Sequence, residues 1–408
     1  MRLSVVKVIE LRRLFDHGSD SIAERERKQR KAANTLGDPV KLSSKILAVD
    51  VNYAFDPSGD VVFVAEAGGS LTGLRFSTNV LSKTPPGPQA PLTCLASHSA
   101  GTSMAIYAGC WDKSIWAYKL DRDKQGGNTV ITNVSSFGAH ADFVKSLAIA
   151  YTPDKQAILI SGGADGDLRF WSPDGQAVAT LKPQARAIEC IVADPFSPIE
   201  APVVMFSTSQ REIFQVVLPP SSQITSKTLQ MSAPIAAHET SVYKLHLDSD
   251  GDLWTASADK TAKRLVRENG WAIDTVLQHP DFVRDVVTHH QYGLVITACR
   301  DEEVRVWDRG TGAIRHVFTG HFEEVTGLAL AGDLLISVSI DATLRRWSLA
   351  PQNLRKAIEA AKNPELTKQE PEPTSDLGML TAEEEAELRA LMEEEEADTL
   401  EKMAKDEQ

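Results

Sequence analysis

Long apolar runs are missing from this 408-residue sequence: no window approaches 18 uninterrupted hydrophobic residues, which excludes a helical membrane span. Cysteine is scarce. The four present (Cys94, Cys110, Cys190, Cys299) form no C-x-x-C, and their scatter argues against both a disulfide framework and a zinc site. The opening residues Met1-Arg2-Leu3-Ser4-Val5-Val6-Lys7 lack the apolar stretch and small-residue cleavage site of a secretory signal. A G-x-S-x-G elbow, a P-loop and an H-E-x-x-H helix are absent too, so no catalytic residue, cofactor or metal is expected. These absences predict a soluble intracellular protein, in the nucleus, the cytoplasm or both, and no membrane partner.

Positive charge is in deficit, with 43 Lys+Arg against 56 Asp+Glu and a net charge of −13. The excess acid is local. Residues 351–408 hold 17 acidic and 7 basic residues, a net of −10, which leaves −3 for the first 350. A nearly neutral body lacks the clustered positive charge of a general nucleic-acid binder.

What is present is a repeat. The segment from His140 to Trp171 begins HADFV and ends SGGADGDLRFW; that from His279 to Trp307 begins HPDFV and ends TACRDEEVRVW; that from His321 to Trp347 begins HFEEV and ends SVSIDATLRRW. In each, His precedes Val by four residues, Ser or Thr precedes Asp by four, and Trp follows that Asp by six. The pattern resembles the WD40 repeat, in which these four side chains form a hydrogen-bonded relay across a four-stranded blade. The resemblance implies relays His140–Ser161–Asp165–Trp171, His279–Thr297–Asp301–Trp307 and His321–Ser337–Asp341–Trp347. The residue types suit the task. Indole N–H only donates, imidazole donates and accepts, the hydroxyl links, and carboxylate accepts.

Four further repeats are degenerate. His238–Thr255–Asp259 is followed by Leu265 where the indole should stand. Asp112 has Ala108 before it and Tyr118 after it, with no matching His. The Asp position falls on Arg211 in FSTSQREIFQVV, between Ser207 and Val217, and on Gly68 in VFVAEAGGSLTGL, with Leu74 at the end. The turn positions 68, 112, 165, 211, 259, 301 and 341 lie 40 to 53 residues apart, close to the roughly 40–45 of a four-stranded blade. Short β-branched runs such as Ala157–Ser161, Val203–Ser207 and Leu334–Ser339, bounded by Asp-Gly, Gly-Gly and Asp-Lys turns, agree. The expected fold is all-β: a seven-bladed propeller over residues 47–350, flanked by residues 1–46 and 351–408. It is expected to be monomeric by itself.

After Trp347 the stretch PQNLRKAIEAAKNPE reads as a short helix, so the last blade lacks an outer strand. An open ring would leave an unpaired edge. The β-prone residues 4–11 are expected to fill it against Leu344–Ser348, and the resemblance implies such a closing strand. Between them and the first blade, Ser21 with Glu24 and then Gly37 with Pro39 predict a helix around 22–36. It carries the basic cluster Arg25, Arg27, Lys28, Arg30 and Lys31, which suggests a nuclear-import signal, a phosphate contact or a solvated face. The tail passes through a linker-like KNPELTKQEPEPTSD to an acidic helix around 381–405. Its Leu388, Leu391, Met392, Leu400 and Met403 suit a partner groove, and its carboxylates suit solubility.

Glycines at Gly68-Gly69 and Ser161-Gly162-Gly163 belong to strand turns and not to a phosphate cradle, and His289-His290 reads as a polar loop on the opposite rim. By the resemblance, two kinds of position project from the top face: the residue before the turn Asp (Trp111, Ala164, Ala258, Arg300, Ile340), and those that follow the relay His (Phe143 and Lys145, Tyr243 and Lys244, Phe282 and Arg284). The candidate partner-binding set is Trp111, Phe143, Lys145, Tyr243, Lys244, Phe282, Arg284 and Arg300, aromatic and basic types enriched in binding hot spots. The leading expectation is a non-catalytic scaffold for protein–protein interaction in a multi-subunit complex. One alternative is an RNA-associated assembly factor or accessory subunit of an RNA-modifying enzyme. Another is a ubiquitin-ligase substrate receptor, against which Trp307-Asp308-Arg309-Gly310 places its Arg one residue early.

Overall fold

The computed structural model describes residues 27–362, apart from residue 30 and the stretches 54–55, 57, 79, 84–86, 101–102 and 123–128. Its strands form seven four-stranded antiparallel sheets. Blade 1 runs from Ile46–Asp50 to Val80–Lys83, blade 2 from Leu92–Ala100 to Thr129–Gly138, and blade 3 from Val144–Tyr151 to Ala177–Leu181. Blade 4 runs from Ile188–Ala193 to Ile235–Ala236, blade 5 from Val242–Leu247 to Ala272–Gln278, and blade 6 from Val283–His289 to Ile314–Phe318. Blade 7 holds Val325–Ala331, Leu334–Ser339 and Thr343–Ser348, with Val40–Lys41 as its fourth strand. The first strand of every blade touches the first strands of both neighbours, including blade 1 against blade 7, so the ring is closed.

The second strands explain where the core lies. Val61–Glu66, Leu253–Ser257 and Leu294–Cys299 are buried at every residue, because neighbouring blades cover both faces. Such strands read as continuous apolar runs instead of alternating ones. The outer strands Ala177–Leu181 and Ile314–Phe318 are half-exposed.

Two local devices recur seven times. Every first strand slips register just after its first residue, at Ile46/Ala48, Leu92/Cys94, Val144/Ser146, Ile188/Cys190, Val242/Lys244, Val283/Asp285 and Val325/Gly327. A bulge of this kind re-aims the side chain it carries, and here it turns one residue per blade into the central channel. The second device is the turn between strands two and three, whose residue after the turn centre is left-handed: Gly69, Lys113, Gly166, Arg211, Lys260, Glu302 and Ala342. That is a type I turn closed by an αL residue. At Gly166 only glycine fits, since a Cβ there would lie 2.0 Å from the Ala185 carbonyl oxygen.

This regularity corrects one expectation. In blade 4, Phe206 pairs with Phe214, which centres the turn on Gln210 and makes Arg211 the left-handed residue. The Asp position therefore falls on Gln210, one residue before the expected Arg211.

An N-terminal strand does close the ring, but at another place than expected. Val40 pairs with Leu344 and Lys41 with Thr343, while Leu42 N–H donates to the Ala342 carbonyl and Arg346 N–H to that of Gly37. Residues 4–11 lie outside the described residues. The edge they were expected to cover at Thr343 and Leu344 is already paired. The strand used is the one next to blade 1 in sequence, so closure needs only the short connection Leu42–Lys45, whose entropy cost is small.

The expected helix after Trp347 is Pro351–Lys362. Leu354 packs beside Trp347 and Leu349, with Ala357 and Ile358 against the same cluster. The basic helix is present at residues 27–29 and 31–32 and ends earlier than expected, before Asn34. The acidic segment 381–405 lies outside the described residues.

Candidate functional site: the top face and central channel

The relay residues hold the top loops in place. In blade 3, His140 Nδ1 is 2.9 Å from Asp165 and Nε2 is 2.8 Å from Ser161 Oγ, which also accepts from the Trp171 indole at 2.8 Å. Blade 7 repeats this with His321, Asp341, Ser337 and Trp347 at 2.8 to 2.9 Å. In blade 5, His238 joins Asp259 at 2.8 Å and Thr255 at 2.6 Å, and the indole position is filled by buried Leu265.

Blade 6 departs from the expected relay. His279 Nε2 and the Trp307 indole both reach Thr297 Oγ1 at 2.8 Å, but His279 Nδ1 faces the Leu277 carbonyl at 3.1 Å and not Asp301. Asp301 is gripped by Arg305 at 2.6 and 3.0 Å. Two residues past the turn centre, Thr261 and Thr343 bond both the turn Asp and the relay His in blades 5 and 7; blade 3 has Asp167 there with its His–Asp link intact, and blade 6 has Glu303.

Desolvation lowers the His140 and His321 pKa, and lowers that of His279 to about 4. All four relay histidines are buried with both ring nitrogens engaged, so none is free to act as a general base. Among the described residues no group of His, Cys, Asp or Glu could hold a metal ion, and no helix is long and apolar enough to cross a membrane.

The degenerate blades substitute other chemistry. In blade 1, buried Glu66 accepts from Ser43 Oγ, Ser44 N–H and Thr72 Oγ1 at 2.6 to 3.0 Å. In blade 2, Asp112 accepts from the Trp116 indole at 2.9 Å. His289, far from a free loop residue, is buried, stacks on Tyr292 at 4.5 Å and lies 3.3 Å from Asp333; His290 meets Ser249. Arg309 bridges blades 6 and 5 through Asp248 and Asp250.

The channel along the ring axis has a volume of about 520 Å³ and is lined by the residues that the bulges turn inward. Lys145 pairs with Glu189 at 2.6 Å, and Arg284 pairs with Glu324 at 2.7 Å while stacking on Tyr243 at 4.3 Å. Lys244 sits one step deeper than expected. The register makes Tyr243 the counterpart of Lys145 and Arg284, and puts Lys244 opposite Asp285, 3.3 Å away, whose charge raises the Lys244 pKa.

At the channel mouth the candidate aromatic residues collect in two groups. Trp111 is 54% exposed and meets Phe143 at 5.5 Å between ring centroids, with Lys145 6.0 Å from the Phe143 ring. On blade 6, exposed Arg300 lies over Phe282 at 5.2 Å. Ala164, Ala258 and Ile340 are half-buried at the equivalent turn position. The glutamates that pair with these cations, Glu189 with Lys145 and Glu324 with Arg284, were missed; only the bulge register reveals that Glu189 faces the channel.

Comparison with known proteins agrees with this architecture. The model of the WD domain, G-beta repeat, matches residues 131–172 and 271–308. A WD repeat-containing protein of Schizosaccharomyces pombe is 32% identical over 391 residues, 93% of this chain and 97% of that protein. Human WD repeat-containing protein 37 is 34% identical over 107 residues, 26% of this chain and 21% of its own length. The computationally designed Ika8 protein superposes with a TM-score of 0.51 at 20% identity, covering 74% of this chain and 83% of its own, a likeness of fold. Repeats at blade spacing, relays seated in four-stranded sheets and a relative similar from end to end make the chain a member of the WD40-repeat family.

Proposed function

We propose that the chain is a non-catalytic scaffold that holds partner proteins in a multi-subunit assembly through the top face of its propeller. One observation carries this reading: Trp111 is 54% exposed on a tight turn, whereas Trp171, Trp254, Trp307 and Trp347 are buried to 7% or less. Leaving an indole in water forfeits about 2–3 kcal/mol of burial, which a partner's surface recovers. Phe143 supports the indole, and exposed Arg300 over Phe282 offers a second contact at the channel mouth.

The RNA-associated alternative loses support. Among the described residues of its basic cluster, Arg27, Lys28 and Lys31 are each ion-paired to glutamates of the propeller.

The test is quantitative affinity capture with the full chain beside Trp111→Ala and Phe143→Ala. Expected is a loss of partner of about tenfold or more, near 1.4 kcal/mol and above, with thermal stability changed by less than about 1 kcal/mol. Unchanged capture by both variants rejects the top-face reading.

A further inference from the structure

The three basic side chains do not wander over the surface; they converge on one corner of the top face. Arg27 makes a two-pronged contact with Glu302 at 2.6 and 2.7 Å. Lys31 lies 2.9 Å from Glu302 and 3.1 Å from Glu303, and Lys28 lies 2.8 Å from Glu323. Below them, Asn34 donates to the Gly320 carbonyl, and buried Arg345 reaches Asn34 Oδ1 at 2.8 Å.

The acidic corner is built at a cost to the blade that carries it. Of the seven left-handed turn residues, only Glu302 is a carboxylate; the others are glycine, alanine, lysine or arginine. Its side chain is 9% exposed, in a backbone conformation that disfavours a side chain at all. The adjacent Glu303 stands where blades 5 and 7 have the threonine that completes their relay, and in blade 6 the His–Asp link is missing. Glu303 Oε2 is buried without a hydrogen-bond partner among the described residues. Both carboxylates are held against cations of the N-terminal helix at this one corner, and one carboxylate oxygen is left buried without a partner among the described residues.

We propose that Glu302, Glu303 and Glu323 form a docking site for a basic helical segment, filled in cis by Arg27, Lys28 and Lys31 and open to exchange with a Lys/Arg-bearing helix supplied in trans. The resident helix fits the chemistry because Arg matches a carboxylate with two parallel N–H donors, and Lys adds a point charge between Glu302 and Glu303. Exchange is feasible because the contacts sit at the rim, where side-chain exposures of 26% to 43% on the basic partners admit water and salt. The site is separate from the Trp111–Phe143 group, so it stands or falls independently of the scaffold reading.

The experiment uses the full chain with its own ligand disabled, Arg27→Glu/Lys28→Glu/Lys31→Glu, and a fluorescent peptide of residues 19–36. A milder triple alanine variant guards against misfolding of the charge-reversed chain. Expected is peptide binding by either disabled chain at least tenfold tighter than by the parent, whose site is occupied. Adding Glu302→Gln, Glu303→Gln and Glu323→Gln to the alanine variant should abolish it, and raising salt from 50 to 500 mM should weaken it severalfold. Equal binding by parent and disabled chains overturns the proposal. So does binding that survives the three glutamine substitutions, and so does the absence of binding to every chain.

Discussion

Replacing Asp341 with Ala tests whether the relay holds the propeller together. Asp341 accepts from His321 Nδ1 at 2.9 Å, Phe322 N–H at 3.2 Å, Thr343 N–H at 2.8 Å and Thr343 Oγ1 at 2.6 Å. It is 7% exposed, and His321 is 1% exposed, so water replaces the carboxylate poorly. Each buried donor left without an acceptor costs roughly 1–3 kcal/mol, and neighbouring losses do not add in full. The expected total is about 3–5 kcal/mol, the range for removing one partner of a buried network. Asp112 offers the control at the same turn position. It accepts from Ser114 and the Trp116 indole but is exposed, and Asp112→Ala should cost about 1 kcal/mol or less. Urea unfolding of both variants by circular dichroism reads the difference. Costs within about 0.5 kcal/mol of each other would refute the claim that burial of the relay, and not the turn residue as such, carries the energy.

Blade 6 gives a contrasting expectation: Asp301→Ala should cost about 2–4 kcal/mol because it strands the Arg305 guanidinium, and adding Arg305→Leu should recover more than half. A cycle of urea midpoints with no recovery would place Asp301 back in the His279 relay. Acid should weaken the fold through His279, whose folded pKa of about 4 lies below an unfolded value near 6.5. Its stabilisation is complete above about pH 6.5 and fades as pH falls toward 4, a loss of about 2 kcal/mol between pH 7 and 5. His279→Gln should flatten that slope in urea titrations at the two pH values, and an unaltered slope would show that other groups cause it. Gly37→Ala should cost about 2–4 kcal/mol, since Gly37 is left-handed at φ 71° and a Cβ there would lie 2.7 Å from the Trp347 ring. Hydrogen exchange at the Leu42 and Arg346 amides should quicken with it; unchanged exchange would separate Gly37 from closure.

The blade count was legible because the relay needs four residue types at fixed offsets, and three repeats carry all four. Degenerate blade 4 defeated the reading by one residue. Nothing in FSTSQREIF marks the turn centre, and the left-handed Arg211 that identifies it is a backbone property without a preferred residue type. The closing strand was misplaced because two paired residues leave no periodicity to detect, while the longer β-prone stretch at 4–11 does. The diversion of Asp301 to Arg305 leaves no mark in the sequence, since blade 3 carries the same spacing at Asp165 and Arg169 and keeps its His140 link. In the candidate site, Trp111 was legible as an indole on a turn without a packing need. Lys244 was not, because the bulge after Val242 shifts it one step down the channel.

The scaffold reading rests on where partners touch the ring, and site-specific photo-crosslinking measures that directly. A benzophenone amino acid at position 111 on the top face is compared with one at position 314, an exposed residue of the outer strand of blade 6. The account predicts that position 111 yields a discrete partner adduct that disappears with Phe143→Ala, while position 314 yields little. Adducts formed equally from both positions, or from 314 alone, would contradict it.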